Sequence, residues 1–239
     1  MKPRWIIELE DSVRHTRRAA ELGWPAASHR LAASQPMTSE LLAPDGEEAF
    51  NREMRLRSGP LREQWDARGR GLMRQLCRLT GHPPTQLENT RPGDAAVRLV
   101  APVIGGHGEL TAAGDGVLLE AVLANPHAEL PEVLRLGWLL ARLLLAPPAA
   151  SSPADAGVHA LALMMAVLAA GEAVELAACD LPTARLALDA WRRGAGAETW
   201  PSPEAAASHA PVLLSWWEEA GESATDWPQR VGLLAGKLR

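Results

Sequence analysis

The sequence predicts a helix-dominant α+β fold, with helices packed around one core and a small antiparallel β-hairpin near residues 96–123. Most of the chain repeats apolar residues at steps of three and four, which indicates amphipathic helices. Two short aliphatic segments, 96–104 and 117–123, are flanked by glycine and read as strands. With 239 residues the chain is long enough to bury a substantial core.

The N-terminal part divides into a helix and an arm. Residues 5–23 show helical periodicity, and residues 26–46 are rich in Ser, Pro and Ala, which predicts a linker or loosely packed arm. We therefore expect an N-terminal unit over 1–45 and one helix-rich domain over 46–239 that contains the hairpin.

Two helices are predicted between the arm and the strands. A charged helix over 47–57 should end at Ser58-Gly59-Pro60, and Pro60 should open a second helix that runs to Thr80. Gly81 then serves as the C-cap, since glycine tolerates the left-handed backbone found there.

The strand region carries a proline and a long glycine-rich connection. Pro102 has no amide hydrogen for a β-ladder, so its segment should be an edge strand or contain a bulge. The connection over 105–116 is longer than a tight turn, and long loops inside compact domains are often functional.

The second half of the chain should be helical. Residues 130–145 are apolar on nearly all sides and predict a central buried helix. Further helices are expected over 156–178, 182–193, 211–220 and 228–238, with Asp180 as an N-cap and Gly194 as a stop. Charged residues and length argue against membrane spans in the two most apolar stretches.

Composition suggests a compartment and a source. Of 24 basic residues only Lys2 and Lys237 are lysine, and nine Trp accompany no Tyr, a bias typical of a GC-rich bacterial genome. The net charge of −5 gives no overall attraction for nucleic acid. Cys77 and Cys179 lack metal-type spacing and suit buried free thiols in a reducing cytoplasm. The N-terminal segment becomes acidic at Glu8, before any apolar run of signal-peptide length develops, so we expect no signal peptide.

Two His-x-Glu triplets are the main candidates for chemistry: His107 with Glu109, and His127 with Glu129. Imidazole and carboxylate groups are ligands for zinc or another divalent metal. In the predicted hairpin, however, the two triplets would be separated by about one strand length, roughly 20 Å.

The strand pair followed by a helix resembles the layout of many zinc peptidases. Their helix carries H-E-x-x-H, because residues one turn apart point the same way. Here the corresponding segment is Pro131-Glu132-Val133-Leu134-Arg135, so Glu132 is available as a base but both histidines are missing. The layout therefore also argues against zinc hydrolysis.

Two surface features suggest binding instead. Arg70, Arg74 and Arg78 recur every four residues and would form one basic stripe on a helix. Trp216 and Trp217 cannot share a helix face, so one ring should lie in the core and the other at a boundary or an interface.

The sequence favours a non-catalytic protein-binding module that recognises another protein and needs no cofactor. The alternatives are a metal-dependent hydrolase near the glycine-rich loop, and nucleic-acid binding through the arginine stripe, which the acidic charge makes the weaker. No sequence feature assigns an oligomeric state.

Overall fold

Helices dominate the structure, a computed structural model that describes residues 3–21, 46–83, 95–103, 105–145, 153–192, 202–222 and 226–238. Four short strands form one mixed sheet within these ranges. The predicted helix-dominant α+β class is confirmed. The predicted arm over 26–46 lies outside the described residues except for Gly46, which begins a helix.

The sheet contains β1 (Arg4–Ile7), β2 (Ala96–Val100), β3 (Gly108–Leu110) and β4 (Gly116–Glu120), in the spatial order β1-β2-β4-β3. Strands β1, β2 and β4 run parallel, and only β3 is antiparallel to its neighbour β4. The prediction that 96–104 and 117–123 pair as an antiparallel hairpin is therefore wrong.

The connection between β2 and β4 explains this difference. The 15 residues between Val100 and Gly116 exceed the dozen that a parallel crossover requires. They include β3, which folds back on β4 and forms the actual hairpin at the edge of the sheet. Pro102 lies beyond the end of β2, so it takes no place in the ladder.

The first element is a strand where we predicted a helix. Trp5, Ile6 and Ile7 are aromatic or β-branched, and they extend beside β2. Helix α1 (Leu9–Glu21) begins only afterwards, with acidic residues in its first turn, where the helix dipole favours them.

The predicted break at Ser58-Gly59-Pro60 does not occur. Helix α2 (Gly46–Gln64) continues through Pro60 into a π-helical turn (Trp65–Gly69) and then α3 (Arg70–Thr80). Core packing of α2 side chains offsets the local cost of the proline. Gly69 is required in the π-turn, because a Cβ there would lie 2.5 Å from the Trp65 indole. Gly81 is the predicted left-handed C-cap, with φ +68°.

Helices α4 (Glu132–Leu144) and α5 (Pro153–Ala173) form the centre of the core. Helix α4 is buried on all sides over most of its length, which confirms the central helix predicted at 130–145. Among the described residues, the stretch Ala154–Ala173 in α5 is long and apolar enough to cross a membrane, but 67% of its apolar window is buried inside the protein. That burial is consistent with a soluble fold.

Three further helices follow within the described residues: α6 (Leu181–Trp191), α7 (Pro203–Glu222) and α8 (Trp227–Lys237). Asp180 accepts the Thr183 amide hydrogen at 2.9 Å, so the predicted N-cap is confirmed. Helix α7 begins eight residues before the predicted start and passes through Pro211. Gly194 lies outside the described residues.

The tryptophans within the described ranges pack largely inside the protein. Trp216 is buried and Trp217 is half-buried, with their rings edge to face at 5.8 Å, so the predicted split between core and boundary is confirmed. Trp138 stacks on Trp191 at 5.2 Å and joins α4 to α6.

Candidate metal site

The buried face of α1 is polar and faces the sheet. Asp11 accepts a hydrogen bond from Arg98 Nη1 at 2.9 Å, and the Ser12 hydroxyl accepts one from the Ala101 amide at 3.1 Å. These two contacts hold α1 against β2 and the chain that leaves it. His15, one turn further along α1, is then directed at the carboxyl end of β4.

Glu120 ends β4 and is the most heavily bonded of the buried carboxylates described here. Its Oε1 accepts the Val103 amide at 2.7 Å and lies 2.9 Å from His15 Nε2. Its Oε2 accepts the amides of Gly105 and Gly106, each at 2.9 Å. A carboxylate that already accepts three amide hydrogens can only accept from the ring as well, so His15 Nε2 is the donor and Nδ1 is the nitrogen left to face a metal ion.

The glycine-rich loop is shaped around this carboxylate. Gly105 and Gly106 have φ of +86° and +105°, a region that favours glycine and that turns both amides toward Glu120. A Cβ on Gly106 would also lie 2.7 Å from the Pro126 ring. The glycines are therefore needed to bring the backbone against Glu120.

The loop places a second histidine beside the first. His107 stacks on His15 with ring centroids 5.5 Å apart and planes 15° apart. Glu109, on β3, has its Oε2 3.9 Å from His107 Nε2. One nitrogen of each histidine and one Glu109 oxygen all lie within 4.8 Å of one another.

The electrostatics of the cluster keep Glu109 ionised. Burial alone would raise the pKa of Glu109, but its interactions with His107, Arg18 and His15 outweigh burial and hold that pKa below its ordinary value. Arg18 Nη1 donates to Glu109 Oε1 at 3.1 Å from the exposed side of α1. An ionised carboxylate is the form that binds a metal ion.

These residues fit a zinc-type ion by chemistry and nearly by geometry. Two imidazoles and one carboxylate are a known zinc ligand set that leaves the fourth position for water. Zinc bonds of about 2.0–2.1 Å place tetrahedral ligand atoms about 3.3 Å apart, so no pair of the three ligand atoms needs to close by more than about 1.5 Å. The Glu120–His15 contact supplies the carboxylate that commonly orients a metal-bound histidine from behind.

A buried ion pair lies behind the same loop. Glu132 and Arg135, both on α4, approach to 3.3 Å, and both lie near the Cβ position of Gly106. Burial raises the pKa of Glu132, with Arg135 opposing this rise and Glu120 adding to it. The carboxylates of Glu120 and Glu132 thus flank Gly106. Glu132, which we predicted as a possible base, is not among the three clustered residues.

The remaining predicted residues lie apart from the cluster. His127 and Glu129 belong to the turn before α4, half-buried and exposed respectively, and neither joins the three-residue group. Arg70, Arg74 and Arg78 are all exposed on α3.

Sequence reasoning overlooked His15 and Glu120. Each had a local signal, since His15 occurs at the buried spacing of α1 and Glu120 interrupts the apolar run of β4. An ionisable residue in a buried position normally has a partner. Because the two are 105 residues apart, their pairing could only be found in three dimensions.

Comparisons with known proteins found no matching family model, curated protein or solved structure.

Proposed function

We propose that this protein binds one divalent transition-metal ion, with zinc as the best chemical fit, through His15, His107 and Glu109. The observation that carries the proposal is the convergence of three ligand atoms within 4.8 Å. Glu120 adds support, because its hydrogen bond to His15 Nε2 fixes the ring and leaves Nδ1 for the ion.

The burial of the ligands favours a structural or metal-sensing ion over a catalytic one. The exposed fractions of His15 and His107 are 5% and 4%, so a bound ion would have little contact with solvent. The ion would join α1 to the edge hairpin, two elements far apart in sequence. An ion that binds the folded state alone stabilises that state by an amount that grows with the logarithm of the ion concentration once this exceeds the Kd.

The protein-binding module predicted from the sequence is a compatible second role. The exposed stripe of Arg70, Arg74 and Arg78 supports it, since guanidinium groups suit acidic partner surfaces. Trp216 adds no support, because its ring is buried. We further propose a cytoplasmic location, supported by Cys77 and Cys179, which form no disulfide within the described part of the chain.

Metal content tests the proposal. The protein is purified without chelator, and zinc, iron, manganese and copper are measured per chain by mass spectrometry. The test variants are His15→Gln and His107→Gln. Glutamine at position 15 still offers an amide hydrogen to Glu120, so the variant removes the imidazole while retaining a donor. His127→Gln is the matched control, a histidine outside the cluster.

We expect close to one equivalent of metal in the unaltered protein and in the control. Both test variants should lose most of it while remaining folded by circular dichroism. Metal-free protein that also fails to take up added zinc, or test variants that retain as much metal as the control, would refute the proposal.

A further inference from the structure

A cleft lies where the end of α3 meets the start of α8. Its volume is about 350 Å³, a size suited to a small molecule. Three basic side chains line it, Arg78, His82 and Arg230, together with the ring of Trp227 and the carboxylate of Asp226. None of these residues belongs to the His15–His107–Glu109 cluster.

Arg230 is the unusual member of this group, because its exposed fraction is only 9%. Its Nη1 donates to the Leu79 carbonyl at 3.1 Å, and its guanidinium lies over the rings of Trp217 and Trp227 at 4.9 and 5.8 Å. Within the described residues its Nε has no hydrogen-bond partner, and no carboxylate lies within 4.0 Å of it.

A buried guanidinium without a counter-anion is energetically costly. Burial lowers the pKa of Arg230 from its ordinary value, which reflects this cost. Buried charges in proteins are normally paired, and a lone one is destabilising. An anion in the cleft would supply the counter-charge and the Nε acceptor that the described residues do not provide.

The other charged groups that the structure describes around the cleft leave it positive. Arg78 is exposed at its mouth and has a guanidinium free to reorient toward a ligand. Asp226 is the acidic residue in the lining, and its Oδ1 already accepts the Gln229 amide at 2.9 Å as the N-cap of α8. His82 Nδ1 lies 2.9 Å from the Thr80 hydroxyl, and burial lowers the pKa of His82. The lining therefore holds two arginines and one carboxylate, and that carboxylate already accepts a backbone hydrogen bond.

We propose that this cleft binds a phosphate group, either as inorganic phosphate or as the phosphate of a small monoester, with Arg230 and Arg78 as its main ligands. Guanidinium groups pair with phosphate through two parallel hydrogen bonds, which matches the donors that Arg230 has to offer. The proposal is independent of the metal site.

Calorimetric titration with inorganic phosphate at constant ionic strength tests this inference. The variants are Arg230→Gln and Arg78→Gln, and the control is Arg74→Gln, which removes the same charge from α3 outside the cleft. Because Arg230 contacts two tryptophans, its variant is checked for folding, and the exposed Arg78 keeps the test valid if that variant unfolds. Titration with methyl phosphate distinguishes the free ion from a monoester.

We expect saturable binding to the unaltered protein and to Arg74→Gln, with Kd values within about twofold of each other. Arg78→Gln, and Arg230→Gln if folded, should bind about tenfold more weakly or worse, the usual effect of losing a charge-assisted hydrogen bond. Tighter binding of methyl phosphate than of phosphate would identify a monoester as the ligand class. No saturable binding of either probe, or equal weakening by Arg78→Gln and Arg74→Gln, would overturn the inference.

Discussion

Acidification should destabilise this protein through one buried histidine on α5. His159 accepts a hydrogen bond at its Nε2 from the Trp227 indole, with the heavy atoms 3.3 Å apart and the rings edge to face at 6.2 Å. Burial, followed by the neighbouring His82 and Arg142, lowers the pKa of His159 from 6.5 to about 4. An imidazole nitrogen that accepts a hydrogen bond must be unprotonated, so the folded state holds this ring neutral.

The sign and size of the effect follow from this difference in pKa. Below about pH 6.5 the unfolded chain binds a proton at His159 that the folded chain does not bind. The free energy of unfolding therefore decreases as the pH is lowered. The loss proceeds until about pH 4, where the folded protein is protonated as well. At 1.36 kcal/mol per pKa unit, the contribution between pH 7 and pH 4 is about 3 kcal/mol.

Urea unfolding at pH 7 and pH 4 measures this contribution by difference. His159→Gln is the comparison variant, because its amide oxygen keeps an acceptor near the Trp227 indole but does not titrate. Carboxylates elsewhere affect both proteins equally. The unaltered protein should lose about 3 kcal/mol more than the variant, and equal losses in the two proteins would refute the reasoning.

Three other substitutions should reduce the free energy of unfolding measured in urea. Glu120→Gln should cost about 2–4 kcal/mol, because one carboxylate oxygen becomes an NH₂ group that faces the amide donors of the loop. An unchanged free energy of unfolding would mean that the carboxylate does not hold the loop. Gly106→Ala should cost about 1–3 kcal/mol more than Gly105→Ala. Both glycines have positive φ, but of the two only an added Cβ at position 106 would have a neighbour within 4 Å. Equal losses in the two variants would contradict the packing around Gly106. Asp180→Ala should cost about 1 kcal/mol through the lost N-cap, whereas the exposed Asp189→Ala on the same helix should be near neutral; the opposite order would disprove the cap.

Local chemistry made the helical part of this fold predictable. The apolar spacing of α4, the left-handed Gly81 and the Asp180 cap all act within a few residues of chain. Where tertiary packing outweighed a local preference, prediction failed, as at Pro60, which lies inside α2 and does not end it. Segments as short as Trp5–Ile7 carry too few residues for periodicity to separate strand from helix.

Strand direction and the candidate site depended on contacts distant in sequence. The near-continuous apolar runs in 96–104 and 117–123 indicate buried strands, but they do not by themselves specify the direction in which the strands pair. His107 and Glu109 were predicted as ligands from their spacing alone. Their neighbour His15 lies on α1, and only the folded chain brings it to Glu120 and to the glycine-rich loop.

Zinc-edge X-ray absorption on protein loaded with one equivalent of zinc tests the central claim most directly, because it identifies the ligand atoms. The proposed site predicts two imidazole nitrogens and oxygen ligands at about 2.0–2.1 Å, a coordination shell that His127→Gln retains and that His107→Gln, which binds zinc weakly, does not form. A coordination shell with fewer than two imidazoles, or one unchanged by His107→Gln, would contradict a metal site at His15, His107 and Glu109.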